Sequence, residues 1–290
     1  MKIIDTLLSP IRGRPPIVSV VRLDGIIKGS DRFSRSLNLA SVAGRLEAAF
    51  KMRHSKAVAL VVNSPGGSPV QSDLIAGRIR DLAKEHEKPV VAFVEDVAAS
   101  GGYWLALAAD EIFVNPASII GSIGVISAGF GFQDAIERIG VERRVHTSGS
   151  RKSLLDPFQA ESEEDVAYLK NIQSEIHGGF RKWVEERRSG KLKADLEPDL
   201  FEGKFWTGAR GVELGLADGL GDLRGVMRGR FGEKTQFRVL GERQGLLKRL
   251  GIGSSFRGLQ GGMGSEIAAA LGEGMLETAE SRALWARFGL

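Results

Sequence analysis

The chain has 290 residues, 42% hydrophobic and 26% charged, which suits a globular protein with one large domain or a domain plus an extension. Lys and Arg outnumber Asp and Glu by 40 to 36, and this formal charge of +4 is too small an excess to argue for a nucleic-acid partner. The absence of cysteine excludes disulfides, thiolate metal sites and a cysteine nucleophile. No stretch approaches the ~20 apolar residues of a membrane span, nor the h-region of a secretory signal, so a soluble, cytoplasmic chain is expected.

Residues 1–16 read as an N-terminal extension, with Arg12, Arg14, Pro15 and Pro16 after a short apolar start. Ile17 to Asp24 (IVSVVRLD) is β-branched and predicts a buried strand. Leu37 to Arg53 carries apolar residues at helical spacing. Ala57 to Asn63 (AVALVVN) predicts a second buried strand that stops at Ser64-Pro65-Gly66-Gly67, and Val70 to His86 predicts a second helix. The unit then repeats. Pro89 to Val94 is a strand, Ala98 to Gly102 a small-residue turn, and Tyr103 to Ala109 a helix. Glu111 to Val114 and Ile123 to Ile126 are short apolar runs, separated by Gly121-Ser122. This alternation implies parallel strands with right-handed crossovers, and in such folds active groups gather at the carboxyl ends of strands.

Beyond Val145 the character changes. Glu161 to Arg188 predicts one long helix with a charged outer face, and Phe205 to Leu216 a shorter one. Between Leu223 and Gln260 there are nine Lys/Arg against two Glu. This basic stretch reads as a solvated face, a subunit interface or a contact for anionic lipid. Gly251 to Gly264 is Gly/Ser-rich and predicts a loop, and Ser265 to Leu290 an amphipathic helix.

The four histidines, His54, His86, His146 and His177, stand beside no glycine-rich turn. No HExxH and no paired His at metal spacing occurs, so a metal enzyme is not expected, and neither GxGxxG at a strand-to-helix junction nor a Walker loop is present. Ser100 is different. It follows a buried strand and precedes Gly101-Gly102 and a helix, where small neighbours admit a substrate carbonyl and free helix N–H groups favour negative charge. An N-cap serine in a tight turn is the plainer reading. Asn63 to Gly67 closes a neighbouring parallel strand, and its two glycines can aim amides outward. Two such turns can supply the two donors a tetrahedral intermediate needs, or they are ordinary strand-to-helix loops. With no histidine in place, the base would be a lysine, which must be partly desolvated to act near neutrality. Lys152, in Gly149 to Leu155, is one candidate, and local sequence does not choose it over Lys88 or Lys170.

Taken in order, VNSPGG, AASGGYWLALAAD, the GSIGV segment, the later Ser/Gly-Xaa-Lys turn, and Phe205-Trp206-Thr207-Gly208 with Gly215-Leu216-Ala217-Asp218 resemble the signal peptide peptidase A (SppA/SohB) family of serine peptidases. The short bacterial members match best, and the likeness runs from Ile17 to Leu223. It implies an α/β fold of the ClpP/crotonase type, repeated ββα units with an added helical C-terminal part, over residues 17–232. It places the nucleophile on Ser100, the general base on Lys152, a helper hydroxyl on Ser122 and the oxyanion amides on Gly67 and Gly101. It implies no cofactor, ring-shaped homo-oligomers with pockets between neighbours, and peptide or unfolded-protein substrates that include signal-peptide remnants. Activity is then expected to rise with pH. Many members carry an N-terminal membrane anchor, and no such span is present in this sequence. Residues 233–290 form a C-terminal extension, whose run LLKRLGIGSSF is a candidate either for oligomer packing or for peripheral contact at the inner membrane. Two rival readings on the same fold are an acyl-CoA-processing crotonase-like enzyme and an inactive ring-forming scaffold. Crotonases usually place acidic residues near the second turn, where this chain has Ala98, Ser100 and Gly101.

Overall fold

Three β-branched runs form the centre of the protein. β1 (Ile17–Asp24), β2 (Ser55–Ser64) and β3 (Val90–Ala99) pair in parallel. Such runs suit a sheet covered on both faces, because branched side chains pack well on a pleated surface. The structure, a computed structural model, describes residues 15–29, 36–241 and 282–290.

Successive side chains along a strand point to opposite faces. Val58, Leu60 and Val62 of β2 therefore join one cluster, and Ala57, Ala59 and Val61 the other. The larger cluster lies beneath α1 (Leu39–Lys51), α2 (Pro69–His86) and α3 (Gly101–Ala106). An Asn38–Ser41 capping box starts α1, while Ser68 as cap and Pro69 in the first turn start α2.

β3 has two partners on its other side. Val91 to Val94 pairs with β4 (Glu111–Val114), and Val97 to Ala99 with β5 (Ile119–Gly121). Ser64 is level with Ala98, and Ala99 is level with Gly121. The turns after β2, β3 and β5 thus leave the sheet side by side at one end.

After β5 the chain enters an arm, residues 124–162, that holds the short α4 (Gln133–Arg138). No residue of α4 is buried, and Phe130 and Ile139 are 81% and 72% exposed. The arm is tied within itself by an Arg143–Asp156 ion pair, and the Arg143 guanidinium also lies over the Phe158 ring. α5 (Glu163–Arg187) returns the chain to the body. Phe180 stacks on Trp104 at 4.7 Å, and Arg187 donates to the Leu107 carbonyl at 2.8 Å. Its first half keeps Tyr168, Ile172 and Ile176 exposed.

Beyond α5 follow β6 (Phe205–Thr207), α6 (Gly208–Glu213), β7 (Gly219–Leu220), α7 (Leu223–Phe231) and β8 (Gln236–Leu240). α7 covers the second face of the sheet through Met227. The sheet order is β6-β5-β3-β2-β1-β8, with β4 also pairing β3 and β7 pairing β4.

The sequence expectations need local correction. The helix expected over Phe205 to Leu216 begins as a strand, β6, antiparallel to β5. Its aromatic pair favours a strand, and Thr207 then caps α6. The apolar run Ile123 to Ile126 is not a strand. Pairing instead uses Ile119 to Gly121, and Ile126 is 70% exposed. The helix expected from Tyr103 starts two residues earlier, and β8 has no counterpart among the strands the sequence predicts. The loop expected over 251–264 lies outside the described residues, as does most of the final helix. Among the described residues no helix is long and apolar enough to cross a membrane.

Candidate active site

Ser100 is the first residue beyond β3, with φ 51° and ψ −121°. Side-chain-bearing residues rarely adopt this region, and such strain gathers at functional turns. The backbone is pinned on both sides. The Ser100 amide donates to the Gly121 carbonyl at 2.8 Å, and its carbonyl accepts from Trp104 at 3.0 Å to start α3. The hydroxyl makes no capping bond. The N-cap alternative therefore fails for the side chain, which has no hydrogen-bond partner among the described residues.

The turn after β2 lies directly against this serine. A β-carbon at Gly66 (φ 103°) would stand 2.9 Å from both the Gly101 nitrogen and Ser100 Cβ. One at Gly101 would stand 3.3 Å from the Gly67 nitrogen. Only glycines allow this approach. Neither the Gly67 nor the Gly101 N–H donates a hydrogen bond among the described residues. Two unused amides beside an unengaged hydroxyl form an arrangement able to hold an oxyanion.

Ser122 continues from β5, 7% exposed and with φ 53°. Its amide donates to the Lys204 carbonyl at 2.7 Å. The Trp206 ring lies over Gly121, with two ring carbons 2.7 Å from where a β-carbon would be. Ser122 therefore emerges beside Ser100, with Trp206 as a wall.

Behind α3 lies a polar network centred on a buried arginine. Arg188 is 2% exposed, and it donates to Asp218 at 2.7 Å and to the Gly215 carbonyl at 2.7 Å. Asp218 also accepts from Lys191 and from the Ile112 amide. Burial pushes the Asp218 acid up, but these donors outweigh it and hold the group below the usual range. The Tyr103 hydroxyl of α3 donates to the Leu216 carbonyl at 2.8 Å, and burial pushes that phenol up.

Lys152 is placed differently. It sits exposed on the arm, its amide bonded to the Gly149 carbonyl at 3.2 Å. Its ammonium makes no hydrogen bond or ion pair among the described residues, and none joins it to Ser100. The structure brings Ser100, Ser122, Gly67 and Gly101 together, while Lys152 is exposed and makes no bond to them among the described residues. Lys88 is no substitute. Its ammonium donates to the Phe50 and Met52 carbonyls at 2.6 and 2.7 Å. It also precedes β3, whose length puts it on the order of 30 Å from Ser100. Lys170 is exposed on α5.

The sequence profile of peptidase family S49 matches residues 82–230, a span that contains Ser100, Ser122 and Lys152. This chain belongs to peptidase family S49. A putative protease of Synechocystis is 30% identical over 67% of this chain and 71% of its own length. A putative signal peptide peptidase SppA of Enterococcus faecium is 32% identical over 57% of this S49 chain and 47% of its own length. A Brucella abortus protein named as a Na(+)/H(+) antiporter NhaA is 54% identical over 94% of the chain, which spans 37% of that relative's length. The fold is accordingly the ClpP/crotonase-like fold that the resemblance implied.

One buried side chain is not singled out by the sequence. Ser64 belongs to a Gly/Pro turn, yet its hydroxyl is buried and bonded to both the Gly25 carbonyl after β1 and the Gly66 amide after β2. Nothing local marks it, because its partner Gly25 is far away in sequence.

Proposed function

We propose that this S49 peptidase is a serine endopeptidase of the Ser-Lys type. Ser100 is its nucleophile, Lys152 its base and Ser122 the hydroxyl that orients the lysine. The observation that carries this reading is the unengaged Ser100 hydroxyl, held at positive φ beside the unused Gly67 and Gly101 amides. Neutral Lys152 removes the Ser100 Oγ proton as the oxygen attacks the substrate carbonyl carbon. The two amides hold the resulting oxyanion. Collapse breaks the C–N bond, Lys152 gives its proton to the leaving amine, and an ester to Ser100 remains. Water, deprotonated by Lys152, attacks that ester and releases the acid, and the proton returns to Ser100 Oγ.

An amine acts as a base near neutrality only once it is taken out of water. The arm that carries Lys152 also carries exposed apolar side chains, notably Phe130 and Ile139. A second copy of the chain covers this arm, completes the site and desolvates the lysine. The substrates are extended, unstructured chains, including signal-peptide remnants, consistent with the name carried by the Enterococcus relative.

The test is hydrolysis of an unfolded protein and a panel of fluorogenic peptides by wild type, Ser100→Ala and Lys152→Ala. Wild type is expected to cut, and both variants to be inactive while folded. A Lys152→Ala protein that keeps its rate removes the lysine from this role. A Ser100→Ala protein that keeps its rate removes the whole site.

A further inference from the structure

We propose that Ser64 is a positioning residue for the oxyanion amides and acts on them through Gly66. The proposal rests on the peptidase reading above. Gly66 and Gly67 have φ of 103° and 140° and no side chains of their own, so the direction of their amides must be set from outside. Two groups set it. One is backbone: the Ile27 amide donates to the Gly66 carbonyl at 2.8 Å, and the Ser68 amide to the Ile27 carbonyl at 2.7 Å.

The other is the Ser64 hydroxyl. A hydroxyl has one proton to give and lone pairs to receive. Here it donates to the Gly25 carbonyl at 2.6 Å and accepts from the Gly66 amide at 3.2 Å. No other side chain bonds the Gly66 or Gly67 amide among the described residues. Gly25, in turn, donates to the Asn63 carbonyl at 2.9 Å. The Ser64 carbonyl is also the surface on which Gly102 of α3 packs, with no room for a β-carbon. One fully buried residue thus touches the turn after β1, the turn that presents Gly67, and the start of α3 that presents Gly101.

Oxyanion donors act on charge that appears only in the transition state, so misaiming one lowers kcat and leaves ground-state binding nearly intact. A buried serine with no such role loses only stability. Ser19 supplies that comparison. It is also fully buried, and its hydroxyl lies within hydrogen-bond reach of the Ala49 carbonyl at 3.0 Å and of Ser55 Oγ at 2.7 Å.

The experiment compares Ser64→Ala, Ser64→Cys, Ser19→Ala and Ser100→Ala in peptide hydrolysis, thermal unfolding and binding of a peptide aldehyde. The aldehyde adduct places its oxygen where the oxyanion forms. Ser64→Ala is expected to lower kcat by about tenfold or more, with KM within about twofold, and to weaken aldehyde binding by the same factor. Ser64→Cys, which keeps the shape and a weaker partner atom, falls between it and wild type and serves alone if the alanine variant does not fold. Ser19→Ala lowers the unfolding temperature but keeps kcat. The proposal is overturned if the Ser64 variants keep wild-type kcat and aldehyde affinity, or if Ser19→Ala loses kcat equally. Hydrolysis that survives in Ser100→Ala overturns the site as a whole, and so separates that failure from a failure of Ser64 alone.

Discussion

Gly67→Ala is the sharpest perturbation of the proposed oxyanion turn. Gly67 has φ 140°, a conformation that side-chain-bearing residues rarely adopt. Its β-carbon would fall on the Ile27 carbonyl oxygen, 2.8 Å from the carbonyl carbon and 3.0 Å from the Ile27 nitrogen. These are backbone atoms, and they are the ones that bond Gly66 and Ser68, so no flexible group can yield. Backbone strain costs about 1–3 kcal/mol and overpacking about 1–3 kcal/mol, or about 2–6 kcal/mol together. That is a large part of a typical stability of ~5–15 kcal/mol. Urea unfolding measures the loss, with Gly44→Ala as its counterpart. Gly44 lies within α1 with nothing within 4 Å of its β-position, and alanine there is expected to stabilise by about 0.5–1 kcal/mol. Hydrolysis measured where Gly67→Ala remains folded is expected to fall about a hundredfold, because one donor has moved. A Gly67→Ala protein destabilised by less than about 1 kcal/mol and still active would refute the wedged turn and the donor assignment together.

Two further expectations follow from the network behind α3 and from the arm. Asp218 is held below its usual range, so it contributes stability that is present above about pH 4 and lost as pH falls through the depressed value. Asp218→Asn leaves Arg188 buried without its carboxylate and is expected to cost about 3 kcal/mol at pH 7. Its unfolding free energy should approach that of wild type as pH drops below about 4, and a constant gap down to pH 3 would contradict the linkage. On the arm, Phe130→Glu and Ile139→Glu place charge on side chains that are 81% and 72% exposed in the single chain. Sedimentation should then show a smaller assembly, and hydrolysis should fall, while the melting temperature of the dissociated chain holds. Full-size assemblies of both variants with wild-type rates would show that the arm is not covered by a second copy.

How far the sequence was legible depends on the distance over which each feature is determined. β1, β2 and β3 are buried on both faces, so their composition alone reveals them. The turn around Ser100 is legible because the packing of Ser64, Gly66 and Gly101 demands small residues in adjacent positions. β6 has only three residues, and it is a strand because β5, some eighty residues earlier, offers an edge and a glycine beneath Trp206. β8 (QFRVL) lies in a basic stretch and is fixed by pairing with β1 across most of the chain. Periodicity within a short window carries neither signal. Lys152 is the extreme case. Nothing in Gly149 to Leu155 distinguishes it, and only the family resemblance selected it.

The two halves of the proposed dyad rest on different physical supports. Ser100, Ser122, Gly67 and Gly101 leave adjacent strand ends, and their positions follow from sheet register, from glycine contacts and from Tyr103, which ties α3 to the Leu216 carbonyl. That half is set by the folding of one chain. Lys152 stands on an arm whose only helix buries nothing and whose apolar side chains face water. In the proposed reading its placement is the part of the site that depends on assembly or substrate. It follows that arm variants and turn variants should fail in different ways. Disrupting the arm should abolish hydrolysis while leaving the oxyanion amides in place. Disturbing Ser64 or Gly67 should slow catalysis in an assembly that still forms. A single-chain protein with an intact oxyanion turn and no activity is the state in which the two contributions separate.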